Sequence, residues 1–131
     1  MKIGVTGTRN GMKPDQIQRV RTFLSDFPAG TELHHGDCVG VDIEVAEIAQ
    51  ELGFKVICHP PEKDELRAFH KSDEIRKPYN YLRRDRNIVD ETDMLVVVPM
   101  HTEWQPSGGT WYTHDYAEKK HKPIRIFFPG E

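Results

Sequence analysis

The sequence predicts an α/β fold, a three-layer, doubly wound sheet of about five mainly parallel strands. Two observations predict it. Short apolar runs that suit buried strands alternate along the chain with segments whose apolar residues recur every three or four positions, as on one face of a helix. Strands that alternate with helices pair in parallel through crossover connections, so helices come to cover both faces of the sheet.

The first half of the chain contains two strand-helix units followed by a third strand. Each helix has an apolar face, and its ends are marked, since Pro14 suits a first helical turn and Gly53 suits the residue after a last turn. Pro60 and Pro61 stop the third strand. The predicted elements are a strand at residues 2–6, a helix at 14–27, a strand at 31–35, a helix at 41–52 and a strand at 54–58.

The second half opens with the 59–80 segment, which is rich in charge and proline and has little apolar periodicity. We expect a long loop or a partly helical excursion there, and loops of this length in compact domains are often functional lids. The strongest apolar run of the chain follows and suits a strand that is buried on both faces. The predicted elements are a helix at residues 81–90, a strand at 94–98, a helix at 111–120 and a strand at 124–128.

Length and charge limit the function. At 131 residues the chain has the size of one domain, which we expect to span residues 1–131. Its 18 basic and 21 acidic residues give a net charge of -3, which argues against neutralising a nucleic-acid backbone or an anionic membrane as the main task. Anion binding is therefore expected to be local, at a small ligand.

Cysteine usage and hydropathy predict a location. Cys38 and Cys58 have no CxxC spacing and give no disulfide framework, which fits a reducing compartment, so we expect a cytoplasmic protein. The strongest apolar run is far too short to span a bilayer and no targeting signal is visible, so no membrane partner is expected. The oligomeric state is left open, with Trp104 and Trp111 as candidates for a self-association surface.

Ligands of doubly wound sheets bind beyond the carboxyl ends of the strands, so the loops that follow strands are the places to search. The first such loop contains Gly7, Thr8 and Arg9. Glycine lets backbone N–H groups approach a ligand, threonine offers a hydroxyl, and arginine offers a forked cation that suits phosphate or carboxylate. A plain strand-to-helix turn is the alternative.

The second loop begins at Gly36, leads into the second helix, and contains Asp37 and Asp42. A helix amino terminus favours an anion, yet the two aspartates complicate a simple phosphate site. Each carboxylate can instead accept hydrogen bonds from ribose hydroxyls, or it can cap the helix. The sequence leaves both alternatives open.

The third loop is the best candidate for phosphate binding, because two glycines and two hydroxyls stand just before a helix and supply several donors to an anion. A flexible turn is the alternative. No lysine follows the glycines in the Walker pattern, so this is not a P-loop. The candidate ligand-binding residues are Ser107, Gly108, Gly109 and Thr110.

Basic and aromatic residues can complete such a site. Arg84 and Arg86 lie on the predicted helix at 81–90, where one or both can reach the crevice or can belong to a solvated, salt-bridged face. Aromatic rings near these loops can stack on a base or can pack in the core and at its rim. The rings are those of Tyr81, Trp104, Trp111 and Tyr112.

Other chemistries find little support in the sequence. The histidines and cysteines have spacings that match no zinc pattern, so we expect no metal and no cofactor. The G-x-S-x-G elbow of serine hydrolases is absent, and Cys38 beside Asp37 lacks an electropositive setting that would activate a thiol. Both thiols are therefore expected to be packing residues.

Five motifs follow one another in order and together carry a family resemblance. They are Gly4-Val5-Thr6-Gly7-Thr8-Arg9, His35-Gly36-Asp37-Cys38 with Gly40-Val41-Asp42, His59-Pro60-Pro61, Arg84-Asp85-Arg86-Asn87-Ile88-Val89 and Ser107-Gly108-Gly109-Thr110-Trp111. The chain resembles, over nearly its whole length, the SLOG superfamily of Rossmann-like domains, especially its small stand-alone branch found in phage and bacterial mobile contexts. That resemblance implies a nucleotide-type ligand.

The superfamily includes cytokinin-activating phosphoribohydrolases, the DNA-uptake protein fold and sensor domains for nucleotide-derived signals. In the phosphoribohydrolases a P-G-G-x-G-T-x-x-E motif binds the phosphate, and its glutamate acts at the glycosidic carbon. Residues 106–110 resemble the phosphate half, whereas Thr113 occupies the glutamate position and cannot stabilise a developing positive charge as a carboxylate does. Asp37, Asp42 and Asp85 are the alternative carboxylates.

Two functions remain open at this point, so the sequence leaves open whether the protein is an enzyme. The leading hypothesis is the sensing or sequestration of a small phosphorylated nucleotide derivative, such as a nucleoside monophosphate or an ADP-ribose relative. The alternative is cleavage of the N-glycosidic bond of a nucleotide. A nucleic-acid partner is disfavoured by the net charge of -3.

Overall fold

The structure, a computed structural model, describes residues 1–105 and 108–130, which form one parallel sheet with helices packed on it. Every pairing between its strands is parallel, in the order β4-β3-β2-β1-β5-β6. The predicted α/β fold class is thereby confirmed. In chain order the elements are β1 (Lys2–Gly7), α1 (Pro14–Leu24), β2 (Glu32–His35), α2 (Val41–Glu51), β3 (Lys55–Cys58), β4 (Glu74–Ile75), α3 (Tyr81–Glu91), β5 (Met94–Val98), α4 (Gly109–Lys119) and β6 (Ile124–Ile126).

The apolar residues of the sheet form two separate layers, one on each face. Val96 and Val98 of β5 belong to the cluster that packs under α1 and α2, whereas Leu95 and Val97 pack under α3 and α4. Successive side chains of a strand point to opposite faces, so a continuous apolar run serves both layers. The described helices have 11 residues each, and none of them has the length and apolar character needed to cross a bilayer.

The 59–80 segment contains the main departure from the predicted elements. The structure describes all of it and forms no helix there, but it adds the two-residue strand β4, in which Glu74 pairs with Ile57 and Ile75 with Cys58. The described sheet therefore has six strands where about five were predicted. Two residues are too few for an apolar period to be recognised in a sequence.

The order of the strands changes direction at β1, which has β2 on one side and β5 on the other. The carboxyl ends of β1 and β5 are level, since Gly7 is in register with Val98 and Thr8 N donates to Val98 O at 3.1 Å. Connections that leave neighbouring strands toward opposite faces open a crevice between them. The topology thus places a crevice beyond Gly7 and Val98.

Candidate functional site

A cleft of about 1060 Å³ opens at the carboxyl ends of β1 and β5. Its walls come from the loop after β1, from the starts of α2, α3 and α4, and from the 59–80 segment. The cleft thus brings the first and third predicted loops together. The predicted site residues that line it are Gly7, Thr8, Arg9, Asp42, Arg84, Gly108, Gly109 and Thr110.

The amino terminus of α4 opens on this cleft. Gly108 stands at the N-cap with φ 122°, a conformation that favours glycine, and it has no side chain with which to cap the helix. The first-turn N–H groups lack intrahelical acceptors and carry the positive end of the helix dipole, so this turn attracts an anion. Gly109 and Thr110 line the cleft at the same turn, and Ser107 lies outside the described residues.

The loop after β1 forms the facing wall and is held firmly. Thr8 O accepts hydrogen bonds from Gly11 N at 3.3 Å and from Val41 N at 3.1 Å. Gly40 has φ 94°, and a Cβ there would lie 2.5 Å from the Arg9 carbonyl group, so only glycine lets α2 approach the loop this closely. Arg9 is exposed at the cleft, and in the described part of the chain no carboxylate forms an ion pair with it.

Arg84 lies at the floor of the cleft and is only 5% exposed. Its Nε donates to Asp85 Oδ1 at 2.7 Å, and its Nη1 donates to Gly36 O and, at 3.3 Å, to His59 O. The guanidinium therefore ties α3 to the ends of β2 and β3. Gly36, a predicted ligand-binding residue, does not line the cleft. A Cβ on it would lie 2.7 Å from Arg84 Nη1, so a glycine is needed there because the Arg84 side chain packs against its backbone.

Two buried carboxylates accompany Arg84 at the floor. Asp42 Oδ2 accepts from Gly36 N at 3.0 Å and from Cys38 N at 3.4 Å, so the carboxylate braces the loop before α2. Burial raises the pKa of Asp42 to about 6, although Arg84 and the two N–H donors act in the opposite direction. Burial likewise raises the pKa of Asp85, against the effect of Arg84.

Asp85 lies at the side of this floor that borders the start of α4. A Cβ on Gly109 would lie 3.4 Å from Asp85 Oδ2, so a carboxylate borders the first turn of that helix. Thr113 is 1% exposed, and its hydroxyl donates to Gly109 O at 2.6 Å. Asp85 rather than Thr113 therefore supplies the acidic group at this end of α4.

Asp37 and Arg86 do not line the cleft in the described structure. Asp37 is fully buried, and its carboxylate accepts from Arg67 Nε at 2.6 Å and from His70 N at 2.9 Å, so it anchors the 59–80 segment. Arg86 donates from Nη1 to the Tyr112 hydroxyl at 2.9 Å. Both charged side chains, predicted as ligand-binding groups, therefore bind other residues of the protein in the described structure.

The aromatic candidates divide between cleft and surface. Tyr81, Trp111 and Tyr112 line the cleft, although Trp111 is only 7% exposed and packs against His114. Trp104 is 54% exposed, so of the two tryptophans considered for self-association only this one is presented to solvent. Leu66 reaches the cleft from the 59–80 segment, and the length of that segment was its only signal in the sequence.

The described structure contains two groups of potential metal ligands, none of which lines the cleft. The spacing of these residues along the chain matches no zinc pattern. They come from β2, β3, the loops that follow these strands and the end of α3, so sequence spacing does not bring them together. Within the chain their atoms already have partners, since His34 Nδ1 lies 2.8 Å from His59 Nε2 and Asp37 binds Arg67. Burial lowers the pKa of His59 to about 3, so its ring is neutral. The groups are His34, His59 and Glu91, and His35, Asp37 and Cys58.

Fold and site together define a doubly wound α/β protein with a ligand-sized cleft at its switch point. No family model and no curated protein matches the sequence. Solved structures do match it, at identities that show the fold alone. A molybdenum cofactor binding protein from Rippkaea orientalis has a TM-score of 0.74 and 18% identity, covering 98% of this chain and 77% of that one.

Two further matches are DNA processing proteins A. The protein from Streptococcus pneumoniae has a TM-score of 0.73 and 17% identity, covering 99% of this chain and 50% of its own. The protein from Helicobacter pylori, which binds single-stranded DNA, has a TM-score of 0.65 and 19% identity, covering 96% of this chain and 64% of its own. This chain spans 50% to 77% of the lengths of these three matched chains, and their likeness confirms the predicted Rossmann-like α/β fold.

Proposed function

We propose that the cleft binds a small phosphorylated nucleotide derivative, such as a nucleoside monophosphate or an ADP-ribose relative, which the protein senses or sequesters in the cytoplasm. The observation that carries this proposal is the start of α4, which has no side chain at its N-cap and opens on the cleft. Arg9 lines the same cleft and forms no ion pair with any described residue. First-turn N–H groups, the Thr110 hydroxyl and the Arg9 guanidinium would hold the phosphate.

The size of the cleft supports a nucleotide over a free phosphate ion. Its volume of about 1060 Å³ lies just above the range for small-molecule sites, which is roughly 300–1,000 Å³. A small inorganic anion would leave most of that space to water. The Rippkaea orientalis protein, which shares the fold, binds a cofactor of small-molecule size.

Thermal shift and calorimetry with a nucleotide panel test the proposal. The panel contains AMP, ADP-ribose, cyclic ADP-ribose isomers and deoxynucleoside monophosphates. Arg9→Ala is expected to weaken binding about tenfold or more, because a charge-assisted hydrogen bond is lost. Gly109→Ala is expected to weaken binding while the protein stays folded, since its methyl group would meet Asp85 Oδ2 at an ordinary contact distance of 3.4 Å.

Arg21→Ala is the matched control, because Arg21 is exposed on α1 and its ion pair with Glu51 lies outside the cleft. It removes the same charge and is expected to leave affinity unchanged. Failure of every phosphorylated nucleotide to bind would overturn the assignment. Equal affinities in wild type, Arg9→Ala and Gly109→Ala would remove the phosphate from this end of the cleft.

A second candidate function is cleavage of an N-glycosidic bond, and the position of Asp85 is the observation that favours it. A carboxylate beside the phosphate site can stabilise positive charge that develops on a ribose carbon as the base leaves. Each ligand that binds is incubated with the protein and analysed for released base by chromatography. Release that is lost in Asp85→Asn while binding persists would replace the binding-only proposal with catalysis.

A further inference from the structure

Exposed apolar side chains form part of the cleft wall. The described chain has ten exposed large hydrophobic residues, and five of them line this cleft. Concentration of exposed apolar side chains at one place marks a binding surface, whereas scattered ones need no explanation. The five residues are Val39, Leu66, Tyr81, Leu82 and Met100.

Three of these residues come from different parts of the chain, and hydrogen bonds to main-chain carbonyl groups connect their segments. Val39 N donates to Leu66 O at 2.9 Å, and the Tyr81 hydroxyl donates to the neighbouring Glu65 O at 3.4 Å. They are 37%, 46% and 39% exposed respectively, so much of their apolar surface faces water in the cleft. A ligand that packs against these three side chains would bury that surface.

We propose that Val39, Leu66 and Tyr81 form a subsite for the base of the nucleotide, so that the protein recognises a base-bearing ligand and not a sugar phosphate alone. This inference rests on the proposed function, because the same cleft continues to the phosphate site at α4. A base is flat and apolar on its faces, so it can pack against leucine, valine and a tyrosine ring while its polar edge stays hydrated.

The wall that carries Leu66 is fixed before any ligand arrives. Leu66 has φ 64°, a left-handed conformation that a leucine rarely adopts. Beyond it, the chain is anchored to the loop after β2, because Ala68 N donates to Asp37 O at 2.7 Å and Arg67 pairs with the Asp37 carboxylate. A wall ordered in advance reduces the entropy that binding would otherwise cost, which makes Asp37 a positioning residue for this subsite.

Calorimetry with matched ligands tests the base subsite. The ligands are the four ribonucleoside monophosphates and ribose 5-phosphate, which differs from them only by lacking the base. At least one nucleotide is expected to bind wild-type protein about tenfold more tightly than ribose 5-phosphate. Leu66→Ala is expected to weaken that nucleotide about fivefold and to leave ribose 5-phosphate unchanged, because the lost side-chain surface touches only the base.

Ile75→Ala is the matched control, since Ile75 is an aliphatic residue of the same segment, is 59% exposed and does not line the cleft. It is expected to leave both affinities unchanged. Equal binding of nucleotides and ribose 5-phosphate, or an equal loss of both in Leu66→Ala, would overturn the base subsite and leave the phosphate site standing. Binding of neither class would overturn the proposed function itself.

Discussion

At the scale of single residues, the buried guanidinium of Arg84 limits which side chains fit beside it at the cleft floor. Arg84 donates to Gly36 O, to His59 O and to Asp85, so its guanidinium holds three chain segments together. Gly36 is explained by the same contact, since there is no room for a Cβ beside Arg84 Nη1. Both residues are therefore necessary to the site even without a contact to a ligand.

Gly36→Ala is expected to lower the free energy of unfolding by about 1–3 kcal/mol, because the buried guanidinium cannot move aside without breaking its hydrogen bonds. Urea unfolding measures this. Gly109→Ala is the control, since its methyl group would meet Asp85 at 3.4 Å and needs no rearrangement. Equal stability of the two variants would contradict the proposed packing role of Gly36.

Asp42 is expected to make stability depend on pH. The pKa of Asp42 is about 6 in the folded protein against an ordinary value of 3.8, because burial disfavours the carboxylate, so folding favours the protonated form. The resulting stabilisation is fully present below about pH 3.8 and is lost as the pH rises to about 6, and it amounts to about 3 kcal/mol. Asp42→Asn keeps an acceptor for Gly36 N and cannot ionise.

Urea unfolding of wild type and Asp42→Asn at several values between about pH 4 and pH 7 measures the effect. The wild type is expected to lose stability relative to the variant as the pH rises through this range. A difference between the two proteins that does not change with pH would show that Asp42 does not titrate there.

At the scale of elements, the 59–80 segment behaves as a wall of the cleft rather than as a free loop. It is tied at one end by pairing of β4 with β3 and in its middle by the buried Asp37 carboxylate. Its length predicted a functional lid, and the structure specifies which part of it reaches the cleft, namely Glu65 and Leu66. Removing the anchor should therefore loosen one wall and spare the rest.

Asp37→Asn is expected to release this wall, because the variant loses the charge that pairs with Arg67 at 2.6 Å. Hydrogen exchange followed by mass spectrometry is expected to show about tenfold faster exchange at residues 66–70, with little change in α1. Asp64→Asn is the control, since Asp64 is 76% exposed and lies 3.8 Å from Arg67. Unchanged protection in Asp37→Asn would mean that other contacts hold the segment.

At the scale of the whole molecule, charge bears on whether a nucleic acid is a partner of this chain. The net charge is -3, and two of the acidic residues that it counts, Asp42 and Asp85, lie buried at the cleft floor beside its arginine. Affinity for a nucleic acid depends largely on neutralised phosphates. The fold alone does not decide the matter, because the Helicobacter pylori protein with the same fold binds single-stranded DNA.

Fluorescence anisotropy with a labelled single-stranded oligonucleotide tests this. At about 150 mM salt we expect no binding at low micromolar protein, because few phosphates would be neutralised. Saturable binding that weakens steeply as salt is raised would assign the cleft, or another surface, to DNA. A nucleoside monophosphate from the panel serves as the comparison ligand, measured by its competition with any bound oligonucleotide.

The sequence by itself determined the fold class and the search area for the site. Apolar periods are local properties, so they revealed five strands, four helices and the loops at the carboxyl ends, including Thr8, Arg9 and the glycines before α4. Of the strands that the structure describes, only β4 was not predicted, because two residues are too few to show an apolar period. The order of motifs along the same chain predicted a Rossmann-like fold, which the parallel sheet confirms.

The tertiary structure alone decided what each of those residues touches. Asp37 and Asp42 look alike in the sequence as acids near the start of a helix, yet one anchors a distant segment and the other braces a loop at the cleft floor. Leu66 has no local signal, and it reaches the cleft because contacts with residues nearly thirty positions earlier hold it there. Such contacts join segments far apart in the chain, so no local pattern records them.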